Sequence, residues 1–469
     1  MKRLAALVCL ACAARAQDEP NPVEEALKRM ADVYSLVEQN AAAPVDPNHA
    51  FYEGALPSML RKLDPHSVFF TPGQFDQLRD MQRSETKGFG TVVSILPGRV
   101  IVLQTLEGTP SARAGLQPGD EIVAVNNIRL DLLTADQLIG LLSESRRAEA
   151  VLIVRRTTSP RLLEFHMKPE AMTSPSVDRA FLLRPQVGYV RITSFEGETG
   201  KQLKAAIEKL GGGALKALVL DLRGNPGGII TVAVEAASLF LPPGQVVVTT
   251  RGRAKANEDL KTPENGTPYT FPLAVLVDEK SASSSEIVAG AMQDYGRGKL
   301  IGTRTFGKGL VQSIFPLAQG TGMALTTAFY FTPKGRLIQR MLTEGQLATY
   351  GEGGLKPDIE VTPEPATRLR AFLDLSAMFT TFATEYVKSN NGITAGFEVS
   401  NELLDKFQAF LADRKVSPGV NEWSREREWI RSRLQQDILN QAVGVDKGDE
   451  VEMQRDVQVK RALIELGVL

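Results

Sequence analysis

Two stretches of this chain are apolar at nearly every position: Ala217-Leu218-Val219-Leu220-Asp221-Leu222 and Leu273-Ala274-Val275-Leu276-Val277. A strand with one face in water alternates apolar and polar residues. Loss of that alternation means cover on both faces. Helical patterns lie between and beside these runs: Thr199–Leu210 ended by Gly211-Gly212-Gly213, residues 229–241 stopped by Pro242-Pro243, and residues 283–295. Val187–Ile192 and residues 311–315, 324–331 and 354–361 read as further strands. Buried strands alternating with helices specify an α/β core.

The 469 residues are enough for two to four domains, and 43% hydrophobic with 23% charged is ordinary for a globular chain. A formal net charge of −1 gives no reason to expect nucleic acid or an anionic membrane as partner. The start differs from the rest. Met1-Lys2-Arg3 is followed by an apolar run and by Ala14-Arg15-Ala16, a small-x-small cleavage pattern, so residues 1–16 read as a secretory signal peptide. Export to the periplasm or the extracellular space follows. Both cysteines, Cys9 and Cys12, lie in that segment. The processed chain is therefore expected to lack disulfides, thiolate chemistry and cysteine metal sites, and no transmembrane segment is expected in it.

Residues 17–84 read as helical, with Leu27, Met30, Val33 and Leu36 near helical spacing and a break at Asp64-Pro65-His66-Ser67. Residues 85–170 change character. Short strands (92–95, 100–103, 151–155 and 162–167) surround Pro110-Ser111-Ala112-Arg113-Ala114-Gly115-Leu116-Gln117-Pro118-Gly119-Asp120-Glu121-Ile122 and a helix over residues 134–143. This arrangement resembles a PDZ domain. Gly88-Phe89-Gly90 matches the loop whose amides hold a peptide's terminal carboxylate, and a plain glycine turn is the other reading of those residues. Residues 364–469 read as a helical extension anchored by Trp423, Trp429, Ile430 and Leu434, suited to packing or self-association.

Chemistry gathers in three segments. Ser281-Ala282-Ser283-Ser284-Ser285-Glu286 opens a helix just after a buried strand, and Ser283 and Glu286 have capping-box spacing. A helix N-terminus offers unpaired amides and a positive dipole end, which hold an oxyanion or merely accept a cap. Leu220-Asp221-Leu222-Arg223-Gly224-Asn225-Pro226-Gly227-Gly228 ends a strand in a glycine-rich turn, a second source of oxyanion amides or a plain turn. Phe306-Gly307-Lys308-Gly309-Leu310-Val311-Gln312 holds a lysine between glycines. All three histidines, His49, His66 and His166, lie far upstream, so a serine nucleophile here needs another base. Lysine serves when desolvation keeps it neutral, and Phe306, Leu310 and Val311 could provide that setting. Gln312 could orient the amine without restoring its charge. A solvated surface lysine is the alternative. Gly302 to Lys308 also imitates a phosphate-binding loop, but Gly309 stands where a magnesium-binding hydroxyl is required.

Together these pieces, with Leu63-Asp64-Pro65-His66-Ser67 and Gly354-Leu355-Lys356-Pro357-Asp358-Ile359-Glu360-Val361, resemble the carboxyl-terminal processing peptidases, the tail-specific family of serine/lysine endopeptidases. The resemblance implies an α/β, crotonase-like protease core over 171–363, a PDZ domain and helical N- and C-terminal regions. It implies Ser283 as nucleophile, with Ser281 and Ser285 as rivals, Lys308 as base and Gln312 as its partner. Gly228 and Ser284 would supply the oxyanion amides, with Ser284, in place of the family's usual alanine, using only its main chain. Gly88, Phe89 and Gly90 would bind the peptide carboxylate. No metal or cofactor is implied. Protein or peptide tails would be the substrates, a homodimer is suggested, and PDZ movement could gate the site. A non-catalytic PDZ scaffold with an inactive core is the rival function.

Overall fold

The computed structural model describes residues 22–469 except 83–85, 97–98, 107, 147, 157–158, 173–174, 255, 341–352 and 391. The expected signal peptide, residues 1–16, and both cysteines lie outside the described residues. The chain divides into two units, residues 1–73 with 314–325, and residues 74–313 with 326–469.

In the first unit a helix, Pro22–Asn40, buries none of its residues. A single stretch of π-helix, His49–Ala55, leads into the helix Leu56–Leu63, where one continuous helix is expected from the sequence. Asp64 ends it. Its Oδ1 accepts the N–H groups of His66 and Ser67, each at 2.8 Å, and its Oδ2 accepts the Ser67 hydroxyl at 2.7 Å. Such a turn satisfies the chain without helix or sheet. Val68–Phe70 then pairs antiparallel with residues 322–324.

The second unit is built on a six-stranded sheet. Its order is Val177–Arg184, Val187–Ile192, Ala217–Asp221, Leu273–Val277, Gly298–Gly302 and Ile359–Glu360. The first pair is antiparallel and the rest run parallel. The apolar runs now have their reason. Leu218, Leu220, Val275 and Val277 face the helices Thr199–Leu210, Ile230–Ser238 and Ser284–Asp294. Ala217, Val219, Ala274 and Leu276 face Met453, Val459, Ala462 and Leu463, from the helices Val445–Arg455 and Val457–Glu465. The end of the chain is thus the second cover of the sheet. Of the expected strand over 354–361, only Ile359–Glu360 pairs.

The remaining helices of the extension, Arg368–Leu375, Met378–Ser389, Asn401–Asp413 and Val420–Ala442, close on their own core. Phe379, Phe407, Trp423, Ile430 and Leu434 are buried in it and Trp429 packs at its edge. Residues 91–167 form a sheet in the order Thr91–Leu96, Arg99–Thr105, Glu121–Val125, Ala150–Arg155, Leu163–Met167, with helix Ala135–Ser145 alongside. In Arg99–Thr105 the pleat splits the side chains. Val100 and Val102 enter the core of that sheet, whereas Ile101 is buried against Ala377 of the extension. Arg99 adds a bond from Nη1 to Thr381 Oγ1 at 3.2 Å.

Candidate active site

Ser283 stands between the strand Leu273–Val277 and the helix Ser284–Asp294. Asp278 makes the bend that leads to it. Its Oδ1 accepts the N–H groups of Lys280 and Ser281 at 3.0 Å and of Gly224 at 2.9 Å, which lays this turn against the loop after Ala217–Asp221. Ser283 has φ +54° and ψ −115°, a region that residues with a side chain rarely occupy. Such strain persists only where neighbouring bonds over-determine the backbone. Here the Ser283 N–H donates to Glu286 Oε2 at 2.9 Å, and the preceding Ala282 N–H to the Asn225 carbonyl at 3.0 Å.

The other serines of the run are engaged elsewhere. Ser281 Oγ donates to the Leu222 carbonyl at 2.8 Å, Ser284 Oγ to the Gly228 carbonyl at 2.9 Å and Ser285 Oγ to the Asn225 carbonyl at 3.0 Å. All three are fully buried, while Ser283 is half-buried. Ser284, expected to use only its main chain, therefore also commits its hydroxyl to the facing loop.

That loop is Gly224 to Gly228. Asn225 is buried inside it, donating through Nδ2 to the Ile192 carbonyl at 2.9 Å and accepting the Gly227 N–H at 2.8 Å. Gly227, at φ +102°, runs so close to the serine turn that a Cβ would lie 2.8 Å from Ser283 Cβ and 2.9 Å from the Ser284 nitrogen. A Cβ on Gly228 would lie 2.1 Å from the Phe195 carbonyl oxygen. The loop is pinned there by Phe195 N–H to Gly227 O at 3.0 Å and Ile229 N–H to Phe195 O at 2.7 Å. Ser284 is the first helical residue, so its N–H has no acceptor within the helix.

Lys308 lies on a segment squeezed between the serine helix and residues 338–340. The Phe306 N–H donates to the Ser281 carbonyl at 3.0 Å, and the Gly307 carbonyl accepts the Arg340 N–H at 2.8 Å. On the far side the Gly309 N–H donates to Oε1 of buried Gln339 at 2.9 Å. A Cβ on Gly309 would come within 2.5 Å of the Gln339 nitrogen, which is why the lysine is flanked by a glycine there. Lys308 is half-buried. Leu310 is buried and Val311 packs on the core, but Phe306, expected to help enclose the amine, is 46% exposed. Gln312 follows, half-buried, on the strand Leu310–Pro316.

The residue that unites these segments is Glu286. Read from the sequence as a helix cap, it is fully buried and accepts four donors. Oε2 takes the N–H groups of Ser283 and Lys308, each at 2.9 Å. Oε1 takes the Thr305 hydroxyl at 2.5 Å and the Gly307 N–H at 2.7 Å. Burial raises its pKa, and the donors pull against that rise. Capping-box spacing was the one sign of it in the sequence. Nothing local announced that Thr305 to Lys308 would supply the other donors.

At the other proposed site, Gly88 and Gly90 are buried and Phe89 packs on the core of its sheet. The Phe89 carbonyl accepts the Ser111 N–H at 2.9 Å and the Gly90 carbonyl accepts the Leu106 N–H at 2.8 Å. The loop stands at the head of Thr91–Leu96, which is an edge strand of its sheet. A sheet edge beside a helix is where an extended peptide adds a strand. Among the described residues, no group of three or more His, Cys, Asp or Glu is placed to hold a metal ion, and no helix is long and apolar enough to cross a membrane.

A PDZ domain joined to an α/β core with a serine at a helix mouth defines a peptidase of serine type, and comparison with known proteins agrees. The model of peptidase family S41 matches residues 186–361 and that of the PDZ domain matches residues 101–156. A carboxy-terminal-processing protease of Bartonella bacilliformis is 32% identical over 363 residues, covering 76% of this chain and 80% of its own. A carboxyl-terminal-processing protease of Synechocystis sp. is 32% identical over 317 residues, 66% of this chain and 71% of that one. The solved photosystem II D1 C-terminal processing protease is 27% identical, with 71% of this chain and 86% of that one covered at a TM-score of 0.43. The chain belongs to peptidase family S41, the carboxyl-terminal-processing proteases.

Proposed function

We propose that this serine-type peptidase uses Ser283 as nucleophile and Lys308 as general base, and cuts exported proteins near C-termini recruited by its PDZ domain. One observation carries the reading: a single buried carboxylate, Glu286, holds the main chains of Ser283 and Lys308 together while the neighbouring serines are bonded to carbonyls.

The substrate tail adds a strand to Thr91–Leu96, and its carboxylate meets the Gly88–Phe89–Gly90 loop. The Lys308 amine takes the Ser283 proton as Oγ attacks a peptide carbonyl. The carbonyl oxygen becomes an oxyanion, held by the amides of Gly228 and Ser284. Collapse breaks the C–N bond, and Lys308 returns the proton to the departing amine. Water, deprotonated in its turn by Lys308, then releases the acyl group and regenerates Ser283. Gln312 orients the amine. The basic, then apolar, N-terminus is read as an export signal, placing this work outside the cytoplasm.

The test is hydrolysis of a peptide with a free C-terminus by the wild type, Ser283→Ala, Lys308→Ala and Gln312→Ala. The first two variants should lose roughly 10³-fold or more in kcat, and the third less. Amidating the peptide's C-terminus should raise KM. Equal rates for the wild type and the first two variants would overturn the assignment. Peptide binding without any hydrolysis would mark a scaffold instead.

A further inference from the structure

We infer that Asp456 and Gln458, at the end of the C-terminal extension, are positioning residues that hold the oxyanion loop in place through Arg223. The inference rests on the peptidase reading above and gives the extension a part in it.

Arg223 immediately precedes the loop Gly224 to Gly228. One side of its guanidinium is committed to Asp221, with Nη2 to Oδ2 at 2.6 Å and Nε to Oδ1 at 3.0 Å. Asp221 is 1% exposed and also accepts the Tyr189 hydroxyl at 2.6 Å. The other side belongs to the extension. Nη1 donates to Asp456 Oδ2 and to Gln458 Oε1, both at 2.7 Å. Neither partner is loose. Asp456 Oδ1 caps the helix Val457–Glu465, accepting the N–H groups of Gln458 at 2.8 Å and Val459 at 3.0 Å. Gln458 is 1% exposed and donates through Nε2 to the Val361 carbonyl at 2.6 Å.

A cavity of about 350 Å³ borders Arg223 and Gly224 on this side, lined also by Asp278, Lys280, Thr303 and Asp456. Side-chain packing therefore does not confine the start of the loop there, and the charged hydrogen bonds do. Burial works against the Arg223 charge, but Asp221, with a further share from Asp456, more than offsets it, and the pKa is raised. From Arg223 the restraint passes directly into the site. The Gly224 N–H is held by Asp278, and the Asn225 carbonyl receives the Ala282 N–H and the Ser285 hydroxyl on either side of Ser283. Releasing Arg223 from the extension removes one of the restraints at the root of the loop that carries Gly228, leaving those from Asp221 and Asp278.

Asp456→Asn tests this, because it keeps an Oδ1 cap for the helix and removes the charge facing Arg223. Gln458→Met removes the neutral partner at similar volume. Both are assayed as full-length processed chain on the same peptide, with the melting temperature measured in parallel and Ser283→Ala as reference. The expected result is a fall of about tenfold in kcat for each variant, with KM within about twofold of the wild type. A fold lost in part would lower the amount of active enzyme and the Tm together. A kcat loss per active site, counted by burst titration, separates positioning from that. Should Asp456→Asn not fold, Gln458→Met decides alone. Wild-type kcat in the folded variants, or a loss that disappears when active sites are counted, overturns the inference while leaving Ser283 as nucleophile. Wild-type hydrolysis that Ser283→Ala does not diminish overturns the parent reading, and the inference falls with it.

Discussion

The main-chain N–H groups of Ser283 and Lys308 converge on one atom, Oε2 of Glu286, at 2.9 Å each. The two residues lie on different elements, one at a helix mouth and one ahead of a strand. A shared acceptor sets the spacing of their backbones whatever their side chains do. The acceptor is itself fully buried, so it cannot exchange these donors for water without unfolding the site.

Glu286→Gln should therefore damage activity more than its small change of shape implies. The amide keeps one acceptor oxygen and turns the other position into a donor facing donors. Loss of stability of roughly 2 kcal/mol is expected from the unsatisfied groups. The kcat should fall by about 10²-fold as Ser283 and Lys308 separate. Thermal melts and peptide hydrolysis measure the two effects. A variant with full activity would show that the shared carboxylate does not set the geometry.

Alanine substitutions along the serine run should divide cleanly. Ser281→Ala, Ser284→Ala and Ser285→Ala each remove one donor to a main-chain carbonyl and should lower stability by about 1 kcal/mol. Each should retain hydrolysis. Ser283→Ala should leave the melting temperature nearly unchanged and abolish turnover. Abolition of turnover in Ser281→Ala or Ser285→Ala, at intact stability, would move the nucleophile.

These contrasts also mark how far the sequence could be read. The buried strands Ala217–Asp221 and Leu273–Val277 were legible because cover on both faces removes alternation, and that pattern is local. The helix mouth at Ser283 was legible from capping-box spacing. What covers the second face was not, because Met453, Val459 and Leu463 come from the far end of the chain. Val177–Arg184 was missed as a strand: its burial is irregular, with Leu182 43% exposed and a shifted register. Glu286 looked like a cap since three of its donors arrive from residues 305–308. No periodicity encodes a contact of that kind.

Gly227→Ala should be among the most harmful small changes in the core. At φ +102° an alanine is strained, and its methyl would sit 2.7 Å from the Ala282 carbonyl oxygen as well as against Ser283. The backbone has to part on one side or the other. We expect a stability loss of roughly 2 kcal/mol and a fall in kcat of about 10²-fold, with KM little changed. Peptide kinetics and a denaturant titration would show this. Wild-type kcat in a folded Gly227→Ala would mean that the close approach is incidental to catalysis.

A pH effect on stability should arise where the extension meets the sheet. Burial pushes the Asp449 carboxyl up to about 6, with Arg179 at 2.9 Å pulling it down and Glu452 pushing it further up. Arg191 and Asp178, also nearby, have smaller and opposed effects. The folded protein thus holds this proton more tightly than the unfolded chain, whose carboxyl titrates at about 4. The stabilising contribution is full below about pH 4 and is lost as pH rises through about 6. Asn is close in shape to the protonated acid. Asp449→Asn should melt with the wild type at about pH 4 and above it at about pH 7, by roughly 3 °C or more. Calorimetry across that range tests the sign as well as the size: a gap that narrows with rising pH would mean that pairing with Arg179 outweighs burial at this residue.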